Sequence, residues 1–434
     1  MTRTIDRRNA LKLTAGLGMG YWMGTCGTTA PAQSPNEKLN LAFVGIGGRG
    51  RVNLDALASE NVVALCDVDD QRAGDAYEVY PTARKYKDFR KMLTDLDNQI
   101  DGVVVSTPDH THFHPSLMAL SRGKHLYCEK PLAHSVSEVR TLTQLASQKG
   151  VATQLGVQRH ARSNVHRIVE LIQGGAIGDI TECHCWIRGN RGMPEVSTPV
   201  SEIPAGLDWD LWLGPATDRP YSADYVPYNW RFWWDFGTAE TGNLGCHILD
   251  LPFWALDLKY PSHVSATGPA PDEQRTPKSM ATRFVFPPSR NRKEISLHWY
   301  HADNGPDILR QHNLSAENNN SLFIGSEGML LCGFNQLKLY PEEKFASYRP
   351  PEPSIPPSPG FYQEWIQACK GGPRATCHFD YAGPLTETVL LGNVAYRAES
   401  EFAWDAQHLT TVGNPSAQSY VHSAYRSGWD PVSE

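Results

Sequence analysis

An apolar run that breaks into a glycine-rich turn and then into a helix-compatible segment fixes the first third of this chain. Leu41-Ala42-Phe43-Val44 leads into Gly45-Ile46-Gly47-Gly48-Arg49-Gly50, a G-x-G-x-x-G, and Arg51 to Ala58 reads as helix. Glycines in such a turn let the backbone reverse tightly, approach a pyrophosphate, and pack helix on strand. A second apolar run, Val62-Val63-Ala64-Leu65-Cys66, ends in Asp67, about 20 residues past the first glycine, where a carboxylate accepts from a ribose 2′-hydroxyl and repels a 2′-phosphate. The spacing predicts a bound dinucleotide, NAD rather than NADP, held by Gly45, Gly47, Gly48, Arg49, Gly50 and Asp67.

From Leu39 to about Gly156 short apolar strands alternate with helical segments: Val62 to Cys66, Gly102 to Ser106, His125 to Cys128, Ala152 to Gly156. Runs apolar on both faces belong to parallel β-α-β units. After Gln158 the texture changes. A helix over Ser163 to Gln173 leads to strands of alternating polarity, among them Ile180 to Arg188, Met280 to Phe286, Glu294 to Tyr300 and Leu322 to Leu331. Alternation predicts an open, mainly antiparallel sheet with helices on one face and the other face free to pair with another subunit. The proline-rich stretch Arg349 to Gly360 reads as an extended connector, followed by helices at Phe361 to Cys369 and Leu385 to Ala398.

With 434 residues, 40% of them apolar and 20% charged, the chain has length for two globular domains. Met1 to Ala32 carries Arg3, Arg7, Arg8 and Lys12 against Asp6, a net +3, so the whole-chain −7 leaves −10 on the remainder. That balance argues against a nucleic-acid partner. Arg7-Arg8-Asn9-Ala10-Leu11-Lys12 resembles a twin-arginine export motif, followed by the weakly apolar Leu13 to Tyr21 and a small-residue cleavage site at Ala30-Pro31-Ala32. The expected divisions are therefore 1–32 as signal peptide, 38–157 as dinucleotide-binding domain and 158–434 as substrate-binding and oligomerisation domain, with the mature chain in the periplasm or otherwise outside the cytoplasm. A lipoprotein cleavage before Cys26 is the alternative, poorly matched by Met23-Gly24-Thr25. No other apolar run reaches the roughly 18 residues of a membrane span. Twin-arginine export carries folded proteins, often around a cofactor, with the translocase as a transient partner. The eight cysteines after Cys26 show neither C-x-x-C nor zinc-ligand spacing, and Cys183 and Cys185 read as buried thiols.

Further along stand Ser106-Thr107-Pro108-Asp109-His110-Thr111-His112, Glu129-Lys130-Pro131 and Gly242-Asn243-Leu244-Gly245-Cys246-His247-Ile248-Leu249-Asp250. Together with the glycine turn, in this order, they resemble the Gfo/Idh/MocA oxidoreductases, and the resemblance covers essentially everything after Glu37. It implies an N-terminal Rossmann parallel sheet followed by a C-terminal α+β domain on a large open, mainly antiparallel sheet. Substrate would lie between them, with the nicotinamide at the cleft. It further implies that Thr107, Pro108, His112, Glu129 and Lys130 face the cofactor, and that the chain forms a homodimer or homotetramer through the C-terminal sheet. Gly383 to Thr388 and Gly392 to Ala395 resemble an exported subgroup of that family.

Oxidising a secondary alcohol needs a base for the hydroxyl proton, a cation beside the developing alkoxide, and a hydride acceptor. His247 is the candidate base and Lys130 the candidate cation. If Asn243 to Asp250 opens a helix, Asn243, His247 and Asp250 share the cleft-facing side. Many relatives carry aspartate where this chain has Asn243; an amide binds a hydroxyl but takes no proton. His110, His112 and His114 form H-x-H-x-H, yet the adjoining Thr-Pro turn and Pro115 point to a loop against the cofactor, and no metal is expected. Trp209, Trp212, Trp230, Trp233 and Trp234 with Tyr221, Tyr225 and Tyr228 crowd one stretch; individually such residues are usually core, but as a group they favour a neutral, hydroxylated, carbohydrate-sized substrate. Arg159, Trp230, Arg231, Trp234 and Asp250 are the substrate candidates. Three functions compete: a sugar or polyol dehydrogenase, a redox-neutral glycosidase or sugar–sugar oxidoreductase that recycles a tightly held NAD, and a sugar-binding protein without catalysis.

Overall fold

The computed structural model describes residues 37–196, 202–290, 292–301 and 305–431. Arg7-Arg8, Cys26 and the expected cleavage at Ala32 lie outside them. Six strands, β1 (Asn40–Val44), β2 (Asn61–Cys66), β3 (Arg84–Tyr86), β4 (Gly102–Val105), β5 (His125–Cys128) and β6 (Thr153–Leu155), form a parallel sheet in the order β3-β2-β1-β4-β5-β6. The side chains of β4 are buried along its whole length, as continuous Val-rich runs require when helices cover both faces. Val44 pairs with Cys66 on one side and Val105 on the other. The strand order therefore switches direction at β1, and a crevice opens at the carboxyl ends of the strands. Helix α1 (Arg49–Ala56) starts two residues earlier than the pattern predicts, so that its N-terminus abuts the glycine turn. Helix α2 (Val136–Lys149) is opened by a Ser135–Glu138 capping box and closed by Gly150 at φ 63°.

Beyond α3 (Ser163–Gln173) a nine-stranded sheet is built from β7 (Ile180–Ile187), β8 (His263–Thr267), β9 (Met280–Phe286), β10 (Ile295–His301), β11 (Ser321–Gly325), β12 (Gly328–Cys332), β13 (Leu337–Tyr340), β14 (Phe402–Asp405) and β15 (Thr410–Val412). Its order is β13-β12-β11-β7-β10-β9-β8-β14-β15, with β7 and β10 parallel and the remaining described pairs antiparallel. The run Leu322 to Leu331, expected as one strand, is a hairpin: Gly325 pairs with Gly328, leaving Ser326-Glu327 as a two-residue loop. Along β10, buried Ile295, Leu297, Trp299 and His301 alternate with half-buried Ser296, His298 and Tyr300, so one face is core and the other is not.

After α4 (Cys246–Ala255) and α5 (Phe361–Cys369) comes α6 (Phe379–Arg397), which packs between the two sheets. The last begins six residues before the expected Leu385 and runs through Gly383 and Pro384. Proline at this sixth helical position forfeits the bond to the Asp380 carbonyl, and the helix is held through it by burial of almost every residue from Phe379 to Tyr396. One side of α6 meets α2, where Arg140 grips Glu387 through two contacts of 2.7 Å and donates to the Ala406 carbonyl at 2.7 Å. Its other side meets β8 and β9. Val104, Leu142, Leu385, Phe284 and Trp299 consequently belong to one continuous core.

Candidate active site

The crevice at the switch point continues into a cleft of about 530 Å³. Gly45, Gly47, Gly48, Arg49, Asp67, Thr107, Pro108, His112 and Glu129 line one end, and Lys130, Trp230, Arg231, Asn243 and His247 the other. Gly45 has φ 79°, and a Cβ there would stand 2.9 Å from the Ser106 carbonyl. A Cβ on Gly50 would stand 1.9 Å from the Gly45 carbonyl oxygen, so Gly50 serves helix–strand packing and is absent from the cleft wall. The turn delivers the N-terminus of α1, with no acidic residue in its first turn, to the cleft. Free helix N–H groups there suit a phosphate. Asp67 accepts from the Ile46 and Asp69 amides at 2.8 and 3.0 Å and from Gly47 at 3.3 Å. Burial nevertheless pushes its carboxyl above the usual range. A carboxylate has about four acceptor sites, so capacity remains for a ribose hydroxyl. These residues fit a dinucleotide.

Lys130 leaves the end of β5 and donates to the Asn243 carbonyl at 2.7 Å and to its Oδ1 at 2.8 Å. Burial lowers the ammonium pKa, opposed by Asp109, Glu129 and Cys246 and reinforced by Arg231. Glu129 faces the cleft but is also a structural knot: its Oε1 accepts from Arg49, Asn53 and Gln158 at 3.2, 3.1 and 2.8 Å. Asn243 sits on a π-turn, Thr241–Gly245, that runs into α4; such turns recur at functional sites. His247 is nine-tenths buried, and its Nδ1 meets no partner among the described residues. Burial, then the charges of Lys130, Arg159 and Arg49, hold its pKa well below the ordinary histidine value. The imidazole is neutral at physiological pH.

Three substrate candidates are placed away from the cleft wall. Asp250 does not share the face of Asn243 and His247, because its carboxylate turns inward to accept from His160 Nδ1 at 3.0 Å and from the Tyr381 hydroxyl at 2.7 Å. Trp234 donates to the Asp272 carbonyl and packs beneath Arg397. Arg159 lies 3.8 Å over the Phe334 ring, and only its charge reaches His247. The histidine run is a set of braces: His110 and His114 donate to the carbonyls of Trp212 and Trp429, and His112 spans those of Pro131 and Thr107.

The aromatic stretch is chiefly a satellite core. Trp209 stacks on Trp212 at 4.8 Å, Tyr225 meets Trp233 edge-on at 4.9 Å, and Trp209, Trp212, Tyr221, Trp230 and Trp233 are all buried. This core roofs the cleft. Asp208 N donates to Val68 O, Asp70 N to Gly206 O and His110 N to Phe236 O, tying segment 204–237 to the loops beyond β2 and β4. Trp212, Tyr228 and Trp230 present edges to the cavity, as does Trp429, against which Arg90 stacks at 4.4 Å. Site residues that sequence reasoning missed include Asp109, which accepts from Thr238 at 2.6 Å, and the pair Arg191–Glu240 behind Asn243. Asp109 lies within the Ser106 to His112 motif, and the signal for Glu240 is helical spacing, three residues before Asn243.

Residues 39–157 match the model of an oxidoreductase family with an NAD-binding Rossmann fold, and 186–431 match the same family's C-terminal alpha/beta domain. The chain belongs to the Gfo/Idh/MocA oxidoreductase family. Inositol 2-dehydrogenase of Salmonella paratyphi B is 28% identical over 167 residues, covering 37% of this chain and 49% of that one. Glucose-6-phosphate 3-dehydrogenase of Bacillus subtilis is 25% identical over 223 residues, covering 51% and 54%. The chain thus spans about half the length of the curated relatives it matches. The WlbA dehydrogenase of Bordetella pertussis, solved with NADH and UDP-GlcNAcA, superposes with a TM-score of 0.61 at 15% identity, covering 86% of this chain and 99% of that one, a likeness of fold. The cofactor of this family's Rossmann domain is NAD.

Proposed function

We propose that this protein oxidises a secondary hydroxyl of a neutral sugar, polyol or glycoside, with Lys130 and His247 at the reacting hydroxyl. The observation that carries the reading is that a lysine held by Asn243 and a histidine kept neutral by burial line the same cleft as the glycine turn. Bound NAD supplies the acceptor for the hydride that leaves the substrate carbon. A neutral His247 accepts the hydroxyl proton, which a protonated ring cannot do. Lys130 lies where negative charge grows on the substrate oxygen, inside a cleft where charge is poorly screened. Trp230 and Tyr228 offer apolar edges to ring C–H groups, and Arg231, stacked at 4.2 Å on Trp230, offers donors to hydroxyls.

A second reading, redox-neutral turnover on a retained NAD, is favoured by the roof. Segment 204–237 bonds to the loops on which the dinucleotide would rest, a tie that favours retention. An exported enzyme without a supply of free NAD would need that retention. On the same reading Arg7-Arg8 directs export of the folded chain to the periplasm, and the half-buried face of β10 meets a second copy in a homodimer or homotetramer.

Turnover of a panel of sugars and aryl glycosides, with and without added NAD, tests both. Lys130→Met is expected to bind NAD as the parent does while losing about 10²-fold or more in turnover. Undiminished turnover in that variant removes Lys130 from the chemistry. Many product molecules per chain with no net NADH identify recycling; a single reduction that resumes only on adding NAD identifies a dehydrogenase.

A further inference from the structure

The amide of Asn243 carries no charge, yet a carboxylate stands directly behind it. Glu240 is fully buried. It follows Ala239, a non-glycine residue at φ 59°, and precedes the π-turn that carries Asn243. Backbone strain of this kind persists only where the surroundings enforce it, and it clusters at working sites. Its Oε2 accepts from Asn243 Nδ2 at 3.3 Å and from Arg191 Nη2 at 2.8 Å. The same guanidinium donates to the Tyr228 hydroxyl at 2.9 Å, and Tyr228 lines the cleft.

An asparagine amide has a donor end and an acceptor end. A carboxylate against one end admits only Nδ2 there, which turns Oδ1 toward Lys130, 2.8 Å away. If the amide were reversed, an N–H would confront the ammonium and a carbonyl would confront Glu240. Both contacts are repulsive, so Glu240 and Lys130 enforce the same orientation from the two ends of the amide. Resting on the reading that Lys130 serves the reacting hydroxyl, we propose that Glu240 is the positioning residue of this site. It fixes the Asn243 amide so that Oδ1 holds Lys130 in the cleft, and it lends Lys130 the negative charge that the asparagine lacks. Arg191 draws the Glu240 carboxyl back down against the burial that raises it, and couples it to Tyr228 in the cleft wall.

The test compares the full-length protein with Glu240→Met, which removes the acceptor, and Glu240→Gln, which keeps the shape and removes the charge. Competitive trace labelling with acetic anhydride across a pH series, read at Lys130 by mass spectrometry, reports the titration of that amine without any substrate. Lys130 also faces Asp109, Glu129, Cys246 and Arg231, none of which is altered. Loss of the nearby negative charge should move the Lys130 titration down in both variants. Where wild-type turnover exists, kcat in Glu240→Met should fall at least tenfold, with KM and NAD affinity within twofold, and Glu240→Gln should lie between. An unchanged Lys130 titration in a variant that still binds NAD overturns the proposal. If Glu240→Met does not fold, Glu240→Gln decides on the same readout. Absence of sugar turnover in the wild type would remove the proposed activity but leave the labelling result to judge Glu240.

Discussion

Removing the Arg140 guanidinium tests whether the ion pair between α2 and α6 holds the molecule together. Glu387 is wholly buried and Arg140 nearly so. Burial pushes the Glu387 carboxyl up, while Arg140 draws it back down. Arg140→Met keeps most of the apolar stem and leaves the carboxylate without its partner. Breaking one side of a buried pair costs about 3–5 kcal/mol. Here the cost has a ceiling, because Glu387 can take up a proton instead. Against an unfolded pKa near 4.3, that costs at most about 3.7 kcal/mol at pH 7. With an unfolding entropy of about 0.8 kcal/mol per degree for a chain of this length, the melting temperature should drop by about 4 °C. A raised folded-state pKa means that the penalty is full above that pKa and fades as pH falls toward the unfolded value. The variant's deficit should therefore be smaller at pH 5 than at pH 8. Differential scanning fluorimetry at both pH values, together with the double variant Arg140→Met/Glu387→Met, measures it. A single variant within 1 °C of the parent at pH 8, or a double variant no more stable than the single, would refute the reasoning.

Asp67→Ala should weaken NAD binding about tenfold and narrow the preference over NADP, as followed by quenching of tryptophan fluorescence; an unchanged preference would show that another residue reads the ribose. In Gly50→Ala the new methyl would meet the Gly45 carbonyl at 1.9 Å, so the turn must open. NAD binding should be lost with a lowered melting temperature, and parent-like titration curves would contradict the assigned packing.

The parallel sheet was legible where its strands are apolar runs, β1, β2 and β4 above all, whereas β3, Arg84-Lys85-Tyr86, has no apolar run to mark it. The glycine turn was placed beside the cleft by the same pattern, since a turn is fixed once the strands it joins are. Other features depend on orientation, which spacing does not encode. Asp250 stands at helical spacing from His247, but His160 and Tyr381 claim its carboxylate. Tryptophans that stack on one another look in sequence like tryptophans that stack on sugars, and here mutual burial wins. The hairpin inside Leu322 to Leu331 does carry a signal, the Gly325-Ser326-Glu327-Gly328 turn between the apolar triplets Leu322-Phe323-Ile324 and Met329-Leu330-Leu331. Glu240 was hidden because its effect passes through the two ends of another residue's amide.

The single core through α6 also bears on how this molecule can move. Proteins with an NAD-binding half and a second half are expected to hinge when the interface between halves is small and polar. Here α6 is buried almost end to end, joined to α2 on one side and to β8 and β9 on the other. Swinging one half would open apolar surface along five helical turns and separate Arg140 from Glu387. The frame is therefore stiff, and cleft access passes to the thinner parts around its mouth. Those are segment 204–237 and the stretch around Trp429, held by backbone hydrogen bonds and aromatic contacts that can part a few at a time. Exchange of a bound molecule is then set by local peeling on a rigid body, and its rate should respond to substitutions in these segments far more than to substitutions between the two sheets.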